Sequence, residues 1–181
     1  MKIGIAGIGG IGSNVARCLA QEKISEIKIV DFDVVEASNL NRQFYRFSQV
    51  GAKKTDSLEM NLKDIFPQMV IEKMDHAIKA GDAVKIFSDC DIVVEGFDSK
   101  ALKKMIIEEL AGTDKILVSA SGIAGRHMDT VTTVKMGNCH IVGDFKSDQA
   151  DHELFAPKII LVASIMAGIV LNTMTEDKTD E

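Results

Sequence analysis

Cysteine is scarce in this chain: Cys18, Cys90 and Cys139 are the 3 present in 181 residues, and they stand far apart. An odd, dispersed set excludes a disulfide framework and a paired Cys-x-x-Cys metal site, so no structural zinc is expected and a reducing cytoplasm is the simplest location. His76, His127, His140 and His152 share no ligand spacing, which argues against a histidine metal site. Positive charge is also in short supply. The 21 Lys and Arg against 27 Asp and Glu leave a net charge of -6, the wrong sign for a duplex nucleic-acid surface. The N-terminus opens on a strand pattern, without the basic and apolar regions of a signal peptide. Ile159 to Leu171 is almost wholly apolar, but its 13 residues fall short of the about 20 that span a bilayer. No membrane segment is expected; the run reads as a helix buried on most sides, partly against a second subunit, which predicts a homodimer. There is no internal repeat and no low-complexity linker.

What is present suits one domain. With 46% hydrophobic residues the chain can bury a continuous core, expected over residues 1–174, with Thr175 to Glu181 as an acidic, disordered tail. Strand-like runs recur at Lys2–Ala6, Glu26–Val30, Met69–Met74, Asp91–Val94 and Ile116–Ser119. Helical patterns lie between most of them, over 10–21, 52–65, 77–87 and 100–110. That alternation predicts an α/β fold, a Rossmann-like, mostly parallel sheet with helices on both faces. Thr130–Lys135 and His140–Val142 add antiparallel strands near the C-terminal end.

The chemistry gathers around the first strand and the turn after it. Gly7, Gly9 and Gly12 follow an apolar run and open a helical pattern, the context of a phosphate-binding turn. Gly7 takes the tight turn, Gly9 leaves room for a phosphate, and Gly12 lets helix and strand pack closely. The helix N-terminus then offers unpaired N–H groups and partial positive charge to an anion. Asp31 ends the second strand 19 positions after Gly12, near the ~20-residue spacing at which an acid meets a ribose hydroxyl. Phe32 to Gly51 is a long aperiodic stretch, and loops of that length in compact domains are usually functional. Its aromatic and aliphatic residues argue for order.

A glycine turn alone fits a nicotinamide-dependent oxidoreductase or a non-catalytic nucleotide-binding scaffold equally well. Asn39, Arg42, Gln43, Arg46, Lys53 and Lys54 change the balance, because a dinucleotide needs little cationic help beyond its turn. A triphosphate attacked at its α-phosphorus needs much more, as charge develops on both attacked and leaving oxygens. Arg46 and Lys53 read more simply as solvated or loop-packing residues. Asp98, just beyond the fourth strand, stands where open parallel sheets bind ligands and suits magnesium, a hard cation that takes one or two carboxylates plus phosphate oxygens.

These residues resemble the ubiquitin-activating superfamily in its bacterial form, the HesA, MoeB and ThiF adenylyltransferases of sulfur-carrier proteins, and most of all the short ThiF-like members. Gly7-Ile-Gly9-Gly10-Ile-Gly12 is similar to the family's nucleotide loop. Asp31-Phe-Asp33-Val-Val-Glu36-Ala-Ser-Asn39-Leu-Asn-Arg42-Gln43 is similar to its far more specific signature after strand two. The resemblance implies that Asp31 and Asp33 lie at the nucleotide, with Asp31 on the ribose. It puts Asn39, Arg42, Gln43 and Lys54 on the phosphate side, and it makes Asp98 the magnesium ligand. Arg42, Lys54 and Asp98 would then carry the reaction. The implied activity is ATP-dependent adenylylation of the C-terminal carboxylate of a small ubiquitin-like carrier ending in Gly-Gly, in thiamin biosynthesis. That carboxylate has a reference pKa of about 3.3–3.7 and is ionised at pH 7, so no general base is needed.

The chain departs from the family in three respects. Members commonly carry an N-terminal segment whose arginine reaches the neighbouring subunit's nucleotide, whereas this chain starts at the first strand. Zinc-binding Cys-x-x-Cys pairs are missing. In some members a cysteine beyond the fifth strand transfers sulfur, and here that region holds only Cys139, beside His140. Cys18 and Cys90 read as small core hydrophobes.

Overall fold

The computed structural model describes residues 1–176. In chain order the elements are β1 (Ile3–Ala6), α1 (Gly10–Gln21), β2 (Glu26–Asp31), α2 (Lys54–Lys63), β3 (Val70–Asp75), α3 (Ala83–Ile86), β4 (Ile92–Glu95), α4 (Lys100–Leu110), β5 (Ile116–Ala120), β6 (Thr132–Met136), β7 (Cys139–Gly143) and α5 (Ala156–Glu176). They build one seven-stranded sheet in the order β3-β2-β1-β4-β5-β7-β6. Every pairing is parallel except β6 with β7. The order reverses at β1, which lies between β2 and β4, and a crevice at the carboxyl ends of such neighbours is where open α/β sheets take ligands.

Alternation along the strands sends side chains to two cores. Ile3, Ile5, Ile27, Ile29, Ile92 and Val94 face α1, α2 and α5, while Ala6, Val30, Val93 and Leu117 face α3 and α4. Both faces are covered, which is why the central strands read as apolar runs rather than as an alternating pattern. On α1, Ile11, Val15 and Leu19 recur at helical spacing and are buried.

Several boundaries differ from the sequence pattern. Only Ala83–Ile86 is helical within the stretch 77–87. Gly81 adopts φ +89°, a left-handed conformation outside any helix, and the carboxylate of Glu109 accepts the N–H groups of Gly81 and Ala83 in place of helical partners. α2 starts at Lys54 because Lys53 is extended and bridges to Val34. α5 is longer than the 13-residue run, and Ala156–Thr175 is long and apolar enough to cross a membrane by length and composition alone. The shortness of the run is therefore no argument against a span. The burial of Ile159, Val162, Ala163, Met166, Ala167 and Val170 in the core is what marks the helix as part of the globular fold. α5 continues to Glu176, two residues into the expected acidic tail; the rest of that tail, 177–181, lies outside the described residues.

Candidate functional site

A cavity of about 610 Å³ opens at the carboxyl edge of the sheet. It is lined by Gly7, Gly9 and Gly10 of the first turn, by Asp31 and Asp33 at the end of β2, by Arg42, Gln43 and Lys54, and by Asp98 beyond β4. Nine of the residues singled out from the sequence thus surround one space.

The turn is built as its glycines require. Gly7 has φ +80°, and a Cβ on Gly12 would sit 2.0 Å from the carbonyl oxygen of Gly7. Gly12 does not line the cavity; it lets α1 close onto the turn. Three side chains then staple the turn to the 38–45 tract. Ser13 donates its hydroxyl to the Gly9 carbonyl at 2.6 Å and accepts the Phe44 N–H at 3.0 Å. Asn14 donates to the carbonyls of Gly10 (2.7 Å) and Arg42 (2.9 Å). The buried Tyr45 donates its hydroxyl to the Ile8 carbonyl at 2.8 Å. Sequence reading missed all three; the only signal was a pair of polar residues, Ser13 and Asn14, at the start of an otherwise apolar helix face.

Asp31 is 9% exposed, and its two oxygens accept the N–H groups of Ile8 and Asp33, each at 2.8 Å. Burial pushes its carboxyl above the usual range, against the pull of the Asp33 N–H, the Lys54 charge and the Ile8 N–H. Lys54 is buried as well, and its ammonium rests on Asp33 Oδ2 at 2.7 Å. Arg42 Nη1 donates to the Ser38 carbonyl and Asn41 Oδ1, both at 2.9 Å. Gln43 Oε1 is buried and accepts no hydrogen bond among the described residues, although polar atoms in such positions are nearly always paired.

Asp98 is exposed and accepts no hydrogen bond among the described residues. It does not cap α4. Ser99 does, accepting the Leu102 N–H at 3.4 Å. No cluster of three or more His, Cys, Asp or Glu suited to a metal exists among the described residues. A hard cation such as magnesium, which takes one or two carboxylates and completes its shell with phosphate oxygens, fits a donor set of this kind, and Asp98 is an exposed carboxylate that could hold it.

Other candidates lie elsewhere. Asn39 is not at the cavity; its side chain accepts the Glu36 N–H at 3.2 Å and closes a 3₁₀ turn over Ala37–Asn39. Cys139 lies on β7 opposite Leu117, low on β5, whereas the cavity meets that strand at Ala120. It is buried, and burial together with the Glu95 charge raises its thiol pKa, the reverse of what a nucleophilic thiolate needs. None of the three cysteines lines the cavity. Arg46 pairs with Asp64 at 2.8 Å and Lys53 with Asp75, both at the surface.

The far wall was not legible in the sequence. The segment after β7 folds back over the edge, and Phe145, Lys146 and Ser147 line the cavity. It is held by Lys158, a residue 1% exposed, whose ammonium donates to the Ala124 carbonyl and Asp144 Oδ2, each at 2.6 Å. A second cavity of about 840 Å³ lies beyond, sharing Ala124, Lys146, Ser147 and Leu154 with the first.

Residues 1–181 match the ThiF family. The chain is 31% identical over 189 aligned residues to the adenylyltransferase and sulfurtransferase UBA4 of Lodderomyces elongisporus, covering 99% of this chain and 42% of that protein. It is 27% identical to the adenylyltransferase and sulfurtransferase MOCS3 of Dictyostelium discoideum, over 96% of this chain and 43% of that one. The chain thus spans less than half the length of these curated relatives. Among solved structures, the tRNA N6-threonylcarbamoyladenosine dehydratase TcdA of E. coli superposes with a TM-score of 0.90 at 18% identity, covering 99% of this chain and 88% of that one, and has been solved in complex with ATP. MccB of E. coli, solved with AMPCPP and MccA, superposes with a TM-score of 0.74 at 20% identity, over 97% and 56% of the two chains. Both likenesses show the Rossmann-like fold.

Proposed function

The chain belongs to the ThiF family, and from that premise we propose that it is an ATP-dependent adenylyltransferase acting on the C-terminal carboxylate of a small ubiquitin-like sulfur carrier ending in Gly-Gly. The observation that carries this reading is the gathering of Lys54, Arg42, the unpaired Gln43 Oε1 and the unpartnered Asp98 around the glycine turn in one cavity. A nicotinamide cofactor would give Arg42 and Lys54 no task beyond their contacts to Ser38, Asn41 and Asp33. In the proposed arrangement the α1 N-terminus, Arg42 and Lys54 take the polyphosphate, with Lys54 exchanging Asp33 for a phosphate oxygen, and Asp31 meets the ribose. Asp33 and Gln43 flank the nucleotide.

The carrier's ionised carboxylate attacks the α-phosphorus. An acyl oxygen–phosphorus bond forms, the bond from phosphorus to the bridging oxygen breaks, and pyrophosphate leaves with that electron pair. The chain's own contribution is alignment and charge screening. Magnesium, bound at Asp98, would supply divalent charge at the leaving phosphates. The second cavity, of about 840 Å³, adjoins the first beside Ser147 and is where the carrier's extended tail would lie. The reaction at this cavity ends at the adenylate, because none of the three cysteines lines it. We place the protein in the cytoplasm and in thiamin biosynthesis, as a homodimer.

The names of the Lodderomyces and Dictyostelium relatives include adenylyltransferase, which accords with this reading. Radiolabelled pyrophosphate exchange into ATP, with carriers ending in Gly-Gly added, tests it. Exchange that depends on carrier and magnesium is the expected result; none with any such carrier would refute it.

A further inference from the structure

Directly beneath the Asp98 loop lies a charged cluster that the reaction as derived does not use. Glu95, the last residue of β4, is 1% exposed. Its Oε1 accepts the N–H of Phe97 at 2.7 Å, and its Oε2 accepts the hydroxyl of Ser119 at 2.6 Å and the ammonium of Lys103. The three donors come from the loop, from β5 and from α4. Burying a carboxylate against a half-buried ammonium is costly, and an apolar pair of similar volume often holds a helix against a sheet as well or better. What the charged cluster adds is direction.

Asp98 sits between two points tied to that one carboxylate, Phe97 on one side and Lys103 on α4 on the other. The loop's entry has no slack either. The Gly96 N–H donates to the Ala6 carbonyl at 2.8 Å, and a Cβ on Gly96 would lie 2.5 Å from the Gly7 carbonyl oxygen. The loop is therefore pinned to the glycine turn at Gly96 and to Glu95 at Phe97 and Lys103. Lys103 also lines the cavity, but Glu95 engages its charge.

We infer that Glu95 is a positioning residue: by holding the Phe97 N–H and the Lys103 ammonium at once, it keeps the Asp98 carboxylate at the cavity rim, where the divalent cation binds. The inference rests on the assignment of Asp98 as the magnesium ligand, and Glu95 itself touches neither the ion nor the nucleotide.

The test is the binding of Mn²⁺, followed by electron paramagnetic resonance, to full-length protein loaded with a non-hydrolysable ATP analogue. The proteins are wild type, Asp98→Ala, Glu95→Gln, Glu95→Asp and Glu95→Gln/Asp98→Ala. Loss of a group that orients a metal ligand typically lowers metal affinity by about tenfold or more. Glu95→Gln should show about that loss, with affinity for the analogue in EDTA unchanged, and should add nothing in the Asp98→Ala background. Glu95→Asp keeps the charge that neutralises Lys103 but cannot reach both donors, so it should lose Mn²⁺ affinity too; full affinity in that variant would show that charge balance alone is needed and would overturn the inference. It also carries the test if Glu95→Gln does not fold. Normal Mn²⁺ affinity in Asp98→Ala would refute the metal assignment itself. Weakened binding in Asp98→Ala but not in Glu95→Gln would refute only the positioning role, as would an equal loss of analogue affinity in EDTA.

Discussion

Asp31 commits both carboxylate oxygens to backbone N–H groups, so it shapes the site before any ligand arrives. Asp31→Ala should weaken ATP binding and also lower stability, because two N–H groups lose their acceptor at about 1–3 kcal/mol apiece when buried. Calorimetric melting and ATP titration on one sample check this; unchanged affinity would remove the ribose role. Asp98 and Ser99 should separate in the opposite manner. Ser99→Ala removes the α4 cap and should cost about 0.5–1 kcal/mol with near-normal turnover, whereas Asp98→Ala should hold its melting temperature and lose about 10²-fold or more in the chemical step. A lowered melting point with retained turnover in Asp98→Ala would show that it serves the fold. The sequence made these residues legible because a motif preserves residue types at fixed spacing. It could not show that Asn39 turns away to close a 3₁₀ turn, or that Glu95, Lys103 and Ser119 meet, since that meeting depends on how β4, α4 and β5 pack together.

The central elements were readable for a simple reason: β1, β2, β4 and β5 are covered on both faces and their buried residues are mostly apolar, Lys28, Asp31, Glu95 and Ser119 apart. α3 was not, because most of the apolar residues of 77–87 reach the core on one face of the sheet from an irregular segment around Gly81 rather than from a full helix. The strap after β7 was also illegible, as its order comes from backbone bonds to Ser121 and Gly122, from the turn closed by Asp144, and from the buried Lys158. Burial works against the charge on Asp144, but Lys158 and the N–H groups of Ser147 and Lys146 outweigh it and hold the carboxyl far below the ordinary range. A depressed carboxyl pKa gives stability that is complete above the unfolded value of about 3.9 and is lost as pH falls further, towards the folded value. Asp144→Asn should therefore melt well below wild type at pH 7, with the gap narrowing below about pH 4. An equal gap at pH 7 and pH 3 would show that the ion pair does not tie down the strap.

At the scale of the molecule, α5 gives one face to the core and leaves Ser164 exposed, with Ile165, Gly168 and Ile169 half-buried. This half-buried apolar flank is where we propose that a second subunit packs. The expected solution state is a homodimer, and Ile165→Glu should give a monomer by light scattering at micromolar concentration; a monomeric wild type would contradict the assignment. The most direct test of the whole is magnesium-dependent exchange of labelled pyrophosphate into ATP with a Gly-Gly carrier present, measured for wild type, Lys54→Met and Cys139→Ala. Adenylylation at this cavity predicts exchange in wild type and in Cys139→Ala, whose thiol faces away, and a loss of about 10²-fold or more in Lys54→Met. Exchange that survives Lys54→Met, or that collapses in a folded Cys139→Ala, would contradict it.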